Sequence, residues 1–260
     1  MERFNVDGVV LYRFSGLAGA VGLQHAVLTR VGGVSRPPYA TLNLGHTVGD
    51  DLAAVEENHR RALGALGLQP GQTVSPHQVH GARVGVVGRA HLGTVLPETD
   101  ALVTDAPGVP LLMRFGDCAP VLFFDSVHRV IGVAHAGWRG VVNGSVLATV
   151  RAMTERMGCA PADLWAGIGP TIGPCCYEVG PEVVTAVEGA CPPGTVVARR
   201  VNGRVHLDLP GAVQAQLCAA GVGQIEDSAL CTACHVDEFF SHRAELGRTG
   251  RFGVLMELLK

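Results

Sequence analysis

Residues 118–140 constrain this chain more than any other stretch. Pro120-Val121-Leu122-Phe123-Phe124-Asp125 and His128-Arg129-Val130-Ile131-Gly132-Val133-Ala134 are two mainly apolar runs separated only by Ser126-Val127. Runs of this length, rich in β-branched and aromatic residues, read as neighbouring strands of a β-hairpin. If Asp125 and His128 flank a two-residue loop, residues paired across the ladder have numbers with a constant sum, and Cys118 shares that sum with His135. The two would then lie directly opposite on one face, with Cβ atoms about 5 Å apart. A thiol and an imidazole so placed suit a metal site or a nucleophile–base pair. A three-residue loop would slip the register and separate their faces. Gly137-Trp138-Arg139-Gly140 follows His135 and turns the chain from strand towards helix. A guanidinium at free helix N–H groups is suited to an anion such as phosphate, which makes Arg139 a candidate contact.

Composition removes several functional classes. The only lysine is Lys260, so neither a Walker A lysine nor an internal Schiff-base lysine exists. A formal net charge of -3 gives no electrostatic basis for binding nucleic acid or an anionic membrane. No apolar run is long enough to span a bilayer, and the N-terminus has no secretory pattern, so a cytoplasmic protein is expected. In that setting the eight cysteines read as thiols or metal ligands, not disulfides. Oligomeric state leaves no mark in the sequence.

Gly and Pro recur throughout and punctuate many short elements, as in a loop-rich α+β protein, and a single domain over 1–260 is the simplest organisation. Strands are expected over 9–14, 25–30, 73–78, 83–87, 101–104, 164–167, 225–227 and 253–259. Helices are expected over 51–66, 141–157, 182–188 and 209–220, the last capped by Asp208 and closed by Gly221.

A series of short motifs, in order along the chain, resembles the bacterial YfiH family, also called the laccase-domain, polyphenol-oxidase or purine nucleoside phosphorylase family. They include Thr29-Arg30-Val31-Gly32-Gly33-Val34-Ser35, Leu42-Asn43-Leu44-Gly45, Glu57-Asn58, Gln78-Val79-His80-Gly81 and Asp100-Ala101-Leu102-Val103-Thr104. Asp117-Cys118-Ala119-Pro120, His135-Ala136-Gly137-Trp138-Arg139-Gly140, Tyr177-Glu178-Val179-Gly180, Cys231-Thr232 and Phe239-Phe240-Ser241 complete the run. The resemblance implies a layered, YfiH-like α+β fold with central mixed β-sheets and helices outside. Three positions depart from its pattern and bear on substrate choice: Arg114-Phe115-Gly116 where a Thr-Ala pair is usual, His59 in place of Arg, and His242 in place of Tyr.

Joined to the hairpin geometry, the resemblance implies a metal site of His80, Cys118 and His135. Two imidazoles and a thiolate suit Zn²⁺, with copper as the alternative, and three protein ligands leave a position open. A fourth ligand from Cys231 or Cys234 would make the site structural instead. The implied chemistry is phosphorolysis of adenosine, inosine, guanosine or methylthioadenosine, together with adenosine deamination. The partners are then a small nucleoside and phosphate. Cys118 and His135 would sit at the reaction centre, Arg139 with Arg30 would hold phosphate, and Asn43 and Asn58 would contact substrate; Asp100 and Glu178 could each serve as acid, base or ribose-hydroxyl acceptor, or cap a turn instead. The chain has no H-x-E, so a deaminase here cannot use the cytidine-deaminase constellation. It also lacks H-x-H and H-C-H, which counts against a conventional copper-dependent polyphenol oxidase. A Cys118–His135 hydrolase, such as an amidase acting on cell-wall precursors, remains a further reading. Cys231-Thr232-Ala233-Cys234 has no second C-x-x-C, and Cys175-Cys176 are poor partners for each other, so both read as loops near the site.

Overall fold

The computed structural model describes all residues, 1–260. Two sheets lie face to face between helices, as the resemblance implies. The first has five strands, in the order Glu2–Val6, Val9–Arg13, Leu23–Leu28, Phe252–Leu258, Leu111–Phe115. The second has six, in the order Gln224–Asp227, Leu164–Ile168, Ala119–Asp125, Val130–Ala136, Ala101–Thr104, Val84–Val86. The helices are α1 (Leu52–Gly64), α2 (Trp138–Asn143), α3 (Ser145–Met157), α4 (Pro181–Gly189) and α5 (Leu209–Ala219).

Alternation along the strands builds the layers. In the central pair Ala119–Asp125 and Val130–Ala136, Leu122, Phe124, Ile131 and Val133 face the five-stranded sheet, where they meet Phe115, Phe252, Val254 and Met256. Their neighbours Val121, Phe123, Val130 and Ala134 face the other way, onto Val146, Val150 and Met153 of α3 and Val213 and Leu217 of α5. Leu28 and Leu255, on the outer face of the five-stranded sheet, pack on Ala62 and Leu63 of α1. The central strands are thus buried on both faces, which explains why they read as unbroken apolar runs.

The hairpin forms, with a different register. Asp125 pairs with Val130 and Ala119 with Ala136, so the loop has four residues, not two. A two-residue type I′ turn would need positive φ at Val127, which a β-branched side chain resists, and type II′ would need it at Ser126, where glycine is preferred. Instead the Asp125 carboxylate accepts the N–H groups of Val127 and His128 at 2.7 and 2.9 Å, and Arg129 takes the left-handed conformation that closes the loop. This register shifts Cys118 by two positions, so it stands diagonal to His135 and level with Gly137. An even slip keeps both side chains on the same face.

The helix expected over 141–157 is two helices broken at Gly144, whose φ of 77° ends α2 and starts α3. The segment expected as a strand over 73–78 is regular only at Ser75–Pro76, so His77 and His80 are loop residues. The strands Glu2–Val6 and Leu111–Phe115 and the hairpin Ala198–Val201 with Arg204–Leu207 were not anticipated. No helix is long and apolar enough to cross a membrane.

Candidate active site

His135 is the one candidate ligand carried by a regular strand. His80 and Cys118 come from loops that bring them to it, and the ligand atoms of all three lie within 4.8 Å of one another. The His80 and His135 rings have centroids 4.7 Å apart at 61°. Both loops bend through left-handed backbone, at His80 itself (φ 62°) and at Asp117 (φ 85°), just before Cys118. Such conformations persist where surrounding bonds over-determine them. The Asp117 carbonyl accepts from Thr171 Oγ1 (2.6 Å) and Ile172 N–H (2.9 Å), while its carboxylate accepts from Thr232 Oγ1 and Arg243 N–H, each at 2.6 Å. The break at Gly144 leaves Asn143 at the end of α2, where its side-chain amide donates to the His80 carbonyl at 2.9 Å.

Asp100 organises this trio from behind. It is fully buried. One oxygen accepts from His135 Nδ1 and His80 N–H, both at 2.9 Å; the other accepts from Val79 and Gly81 N–H at 3.1 and 2.8 Å. Holding Nδ1–H leaves Nε2 of His135 free to face the thiol, the tautomer a metal ligand or a base needs. Burial alone would raise the Asp100 carboxyl, but the His135 imidazole and the backbone donors hold it below the usual carboxylate range. Burial likewise pushes the Cys118 thiol up, and the His135 and His80 imidazoles outweigh it, so the net shift is downward. His135 moves the other way, because the Cys118 and Asp100 charges overcome its desolvation.

The trio opens into a cavity of about 950 Å³, at the upper end of the range for small-molecule sites. Four arginines line it: Arg114, Arg139, Arg243 and Arg251. Arg139 is exposed, and its guanidinium lies 4.3 Å from the Trp138 ring centroid, the least committed of the four. Arg243 donates to the Glu178 carbonyl (2.6 Å) and lies 5.0 Å from the Tyr177 ring. Arg251 donates to the Thr249 and Gly250 carbonyls, and Arg114 to that of Leu44. Tyr177 also lines the cavity, its hydroxyl pushed up to about 12 by burial and the nearby Cys118.

Four expected site residues lie away from the cavity. Asp100 has both oxygens occupied by four donors and does not line the cavity. Arg30 does not line the cavity; it clamps Ala40 O and Val236 O, both at 2.7 Å, and Glu245 at 3.0 Å. Asn43 is fully buried and bonds Gly45, Asp50 and Arg251 N–H. Asn58, equally buried, bonds Val34 N–H, Ser35 and the Asn43 carbonyl. Residues 29–51 have no regular secondary structure, so side-chain amides must satisfy that backbone. Arg139, Cys118, His135 and His80 do meet at the cavity. Tyr177, Arg243 and Arg251 were missed as site residues. Of the three departures from the family pattern, His242 and Arg114 line the cavity, while His59 is buried behind His46, with rings 4.8 Å apart.

The cysteines of the two loops come together: Cys231 and Cys234 gather with Cys175 and Cys176 in a cluster of their own, apart from the trio.

Comparison with known proteins agrees with this architecture. A family model described as multi-copper polyphenol oxidoreductase laccase matches residues 24–259. Purine nucleoside phosphorylase YlmD of Geobacillus stearothermophilus is 40% identical over 245 residues, covering 90% of this chain and 88% of that one. A purine nucleoside phosphorylase of Deinococcus radiodurans is 41% identical over 251 residues, covering 96% and 94%. The crystal structure of the Geobacillus YlmD superposes with a TM-score of 0.91 at 37% identity, covering 97% of both chains. That of the Bacillus licheniformis hypothetical protein YfiH gives 0.91 at 33% identity, covering 98% of this chain and 97% of that one.

Proposed function

Since the chain belongs to the multi-copper polyphenol oxidoreductase laccase (YfiH) family, and relatives at about 40% identity are named purine nucleoside phosphorylases, we propose that it is a zinc-dependent purine nucleoside phosphorylase, acting on adenosine, inosine, guanosine or methylthioadenosine, which also deaminates adenosine. The observation that carries this reading is the meeting of His80, Cys118 and His135 at the edge of an arginine-lined cavity. The whole chain, 1–260, forms the catalytic unit.

The donor set fits zinc. His135 presents Nε2 because Asp100 holds Nδ1–H, and the Cys118 thiol is depressed towards thiolate, the form a metal binds. Two imidazoles and a thiolate also occur in blue-copper centres, but those add an axial Met in most cases, and no Met lines this cavity. Bound zinc supplies Lewis acidity and lowers the pKa of a coordinated water.

The chain's own residues position the reactants. Arg139 holds phosphate, and Arg243 lines the same cavity. A phosphate oxygen attacks the anomeric carbon, the glycosidic C–N bond breaks, and the purine leaves with the electron pair and takes up a proton. Tyr177 keeps its hydroxyl protonated at neutral pH and can donate a hydrogen bond to the departing base. Products are the purine and a ribose 1-phosphate.

Zinc-loaded protein incubated with adenosine, with and without phosphate, tests this by chromatography of the products. Phosphate-dependent adenine supports phosphorolysis, and inosine formed without phosphate supports deamination. Absence of both sinks the reading. A charge-assisted hydrogen bond contributes about 1.5–3 kcal/mol, so Arg139→Ala should raise the KM for phosphate roughly 10–150-fold.

One observation favours a second reading. Cys118, His135 and Asp100 also have the order of a nucleophile, its base and the group that orients the base, as an amidase acting on cell-wall precursors would need. Turnover by metal-free protein, abolished by thiol alkylation, would select it over the zinc enzyme.

A further inference from the structure

We propose that Cys175, Cys176, Cys231 and Cys234 form a second, structural zinc site, separate from the cavity. The four sulfurs come from two tight turns and all lie within 4.8 Å of one another. The Cys175 and Cys176 sulfurs are each 3.5 Å from that of Cys234. A regular ZnS₄ tetrahedron with Zn–S of about 2.3 Å has sulfurs roughly 3.8 Å apart; two of the sulfur pairs lie within a few tenths of an ångström of that, and the rest stay within 4.8 Å. A two-iron cluster would have to admit two irons and two sulfides between the same thiols, and this group is too compact for that. Among divalent ions, zinc binds such sites more tightly than ferrous iron.

Backbone hydrogen bonds shape both turns. In the first, the N–H groups of Cys176 and Tyr177 both donate to the Gly173 carbonyl at 3.0 Å. In the second, those of Cys234 and His235 both donate to the Cys231 carbonyl at 3.1 Å. A backbone pairing of Thr171 with Cys231 ties the turns together. The Gly173 N–H donates to Cys231 Sγ at 3.2 Å, a bond that stabilises a thiolate. Cys231 is buried, whereas Cys175 and Cys234 are exposed, so an ion can reach the cluster from solvent. The missing second half of the C-x-x-C motif is thus the adjacent pair Cys175-Cys176. Binding one Zn²⁺ displaces four protons from the four thiols and leaves a site of net charge −2, its two outer sulfurs in water.

The position gives the site a purpose. Thr171 and Thr232, each next to or within one of these turns, hold Asp117, and Tyr177 follows Cys176 directly. Zinc here pins together the two segments that set the backbone before Cys118 and one wall of the cavity.

The test counts metal and does not depend on nucleoside turnover. Full-length protein is purified under reducing conditions, loaded with zinc, dialysed against a weak chelator, and analysed by mass spectrometry and X-ray absorption. Wild type should hold two zinc ions per chain. Cys118→Ala should hold one, surrounded only by sulfur at about 2.3 Å. Cys234→Ser should lose the all-sulfur ion and lower the midpoint of thermal unfolding. The inference is overturned by a folded Cys118→Ala protein without retained zinc, by iron in place of zinc, or by a Cys234 disulfide to Cys175 or Cys176 under these conditions. If Cys118→Ala does not fold, the wild-type spectrum decides: two sites give a sulfur-dominated average shell, and the His80–Cys118–His135 site alone gives one richer in nitrogen.

Discussion

Replacing Asp100 with Asn tests whether a buried carboxylate, out of reach of the cavity, sets the affinity of the trio. The change is nearly isosteric, so packing is preserved. The carboxylate accepts four hydrogen bonds, two at each oxygen. An amide has one accepting oxygen, and its NH₂ must then face two N–H donors. If the oxygen serves His135 and His80, the N–H groups of Val79 and Gly81 lose their acceptor. A buried donor without a partner costs about 1–3 kcal/mol, so metal-free Asp100→Asn should lose roughly 2–6 kcal/mol of stability. His135 also loses the charge that raises its basicity. Removing such a partner of a ligating histidine typically weakens metal binding about 10–100-fold, or ~1.4–2.7 kcal/mol. Zinc affinity is read by competition with a chromophoric chelator, and stability by urea unfolding of the metal-free protein. Zinc affinity within about twofold of wild type, together with unchanged stability, would refute the assignment of Asp100 as the positioning group.

Two further outcomes follow from buried groups. His25 and His59 are both pushed down to about 4 by burial, with Arg13 and Arg114 respectively as lesser causes, and the Phe14 N–H donates to unprotonated Nε2 of His25 at 2.8 Å. Because each folded value lies below the ordinary 6.5, the unfolded chain takes up protons first as pH falls. Stability is therefore full above pH 6.5, declines from there to about 4 and then levels, by about 3 kcal/mol for each histidine; urea unfolding showing no decline over that window would contradict this. In Gly137→Ala the new Cβ would stand 2.6 Å from Cys118 Sγ, while the backbone (φ −72°) accepts alanine without strain. Zinc affinity at the trio should fall more than about tenfold, with overpacking costing the metal-free fold only about 1–3 kcal/mol, and unaltered zinc binding would count against the placement of Cys118.

What could be read in the sequence was what local pattern encodes. The strands Ala119–Asp125 and Val130–Ala136 were legible because burial on both faces leaves an unbroken apolar run. Their exact register was not, because it depends on how Asp125 caps the loop; the shared face of Cys118 and His135 survived only because the slip was even. Arg30, Asn43 and Asn58 look functional in sequence because polar residues in loops are the usual contacts. Here they satisfy the backbone of a long irregular segment. Tyr177, Arg243 and Arg251 reach the cavity from distant parts of the chain, a convergence that no spacing records. The cysteine pairs posed the same problem: 54 residues of intervening fold (177–230) carry the two turns to one place.

The placement of ligands in this molecule follows a division of labour. The sheet supplies a rigid base, and only His135 stands on it. His80 and Cys118 come from loops whose left-handed backbone would cost of order 1–3 kcal/mol at each site if unsupported. Asp100 supports one of these loops through three backbone N–H groups, and Thr171, Thr232 and Arg243 support the other through Asp117. The second support is itself made of irregular chain, with little core of its own to hold it. A metal tie between its two turns is the cheapest way for such a segment to become stiff, since zinc fixes both turns without a larger core. The four-cysteine cluster and the histidine–cysteine trio are then linked mechanically: the first holds the frame in which Asp117 delivers the thiol of the second.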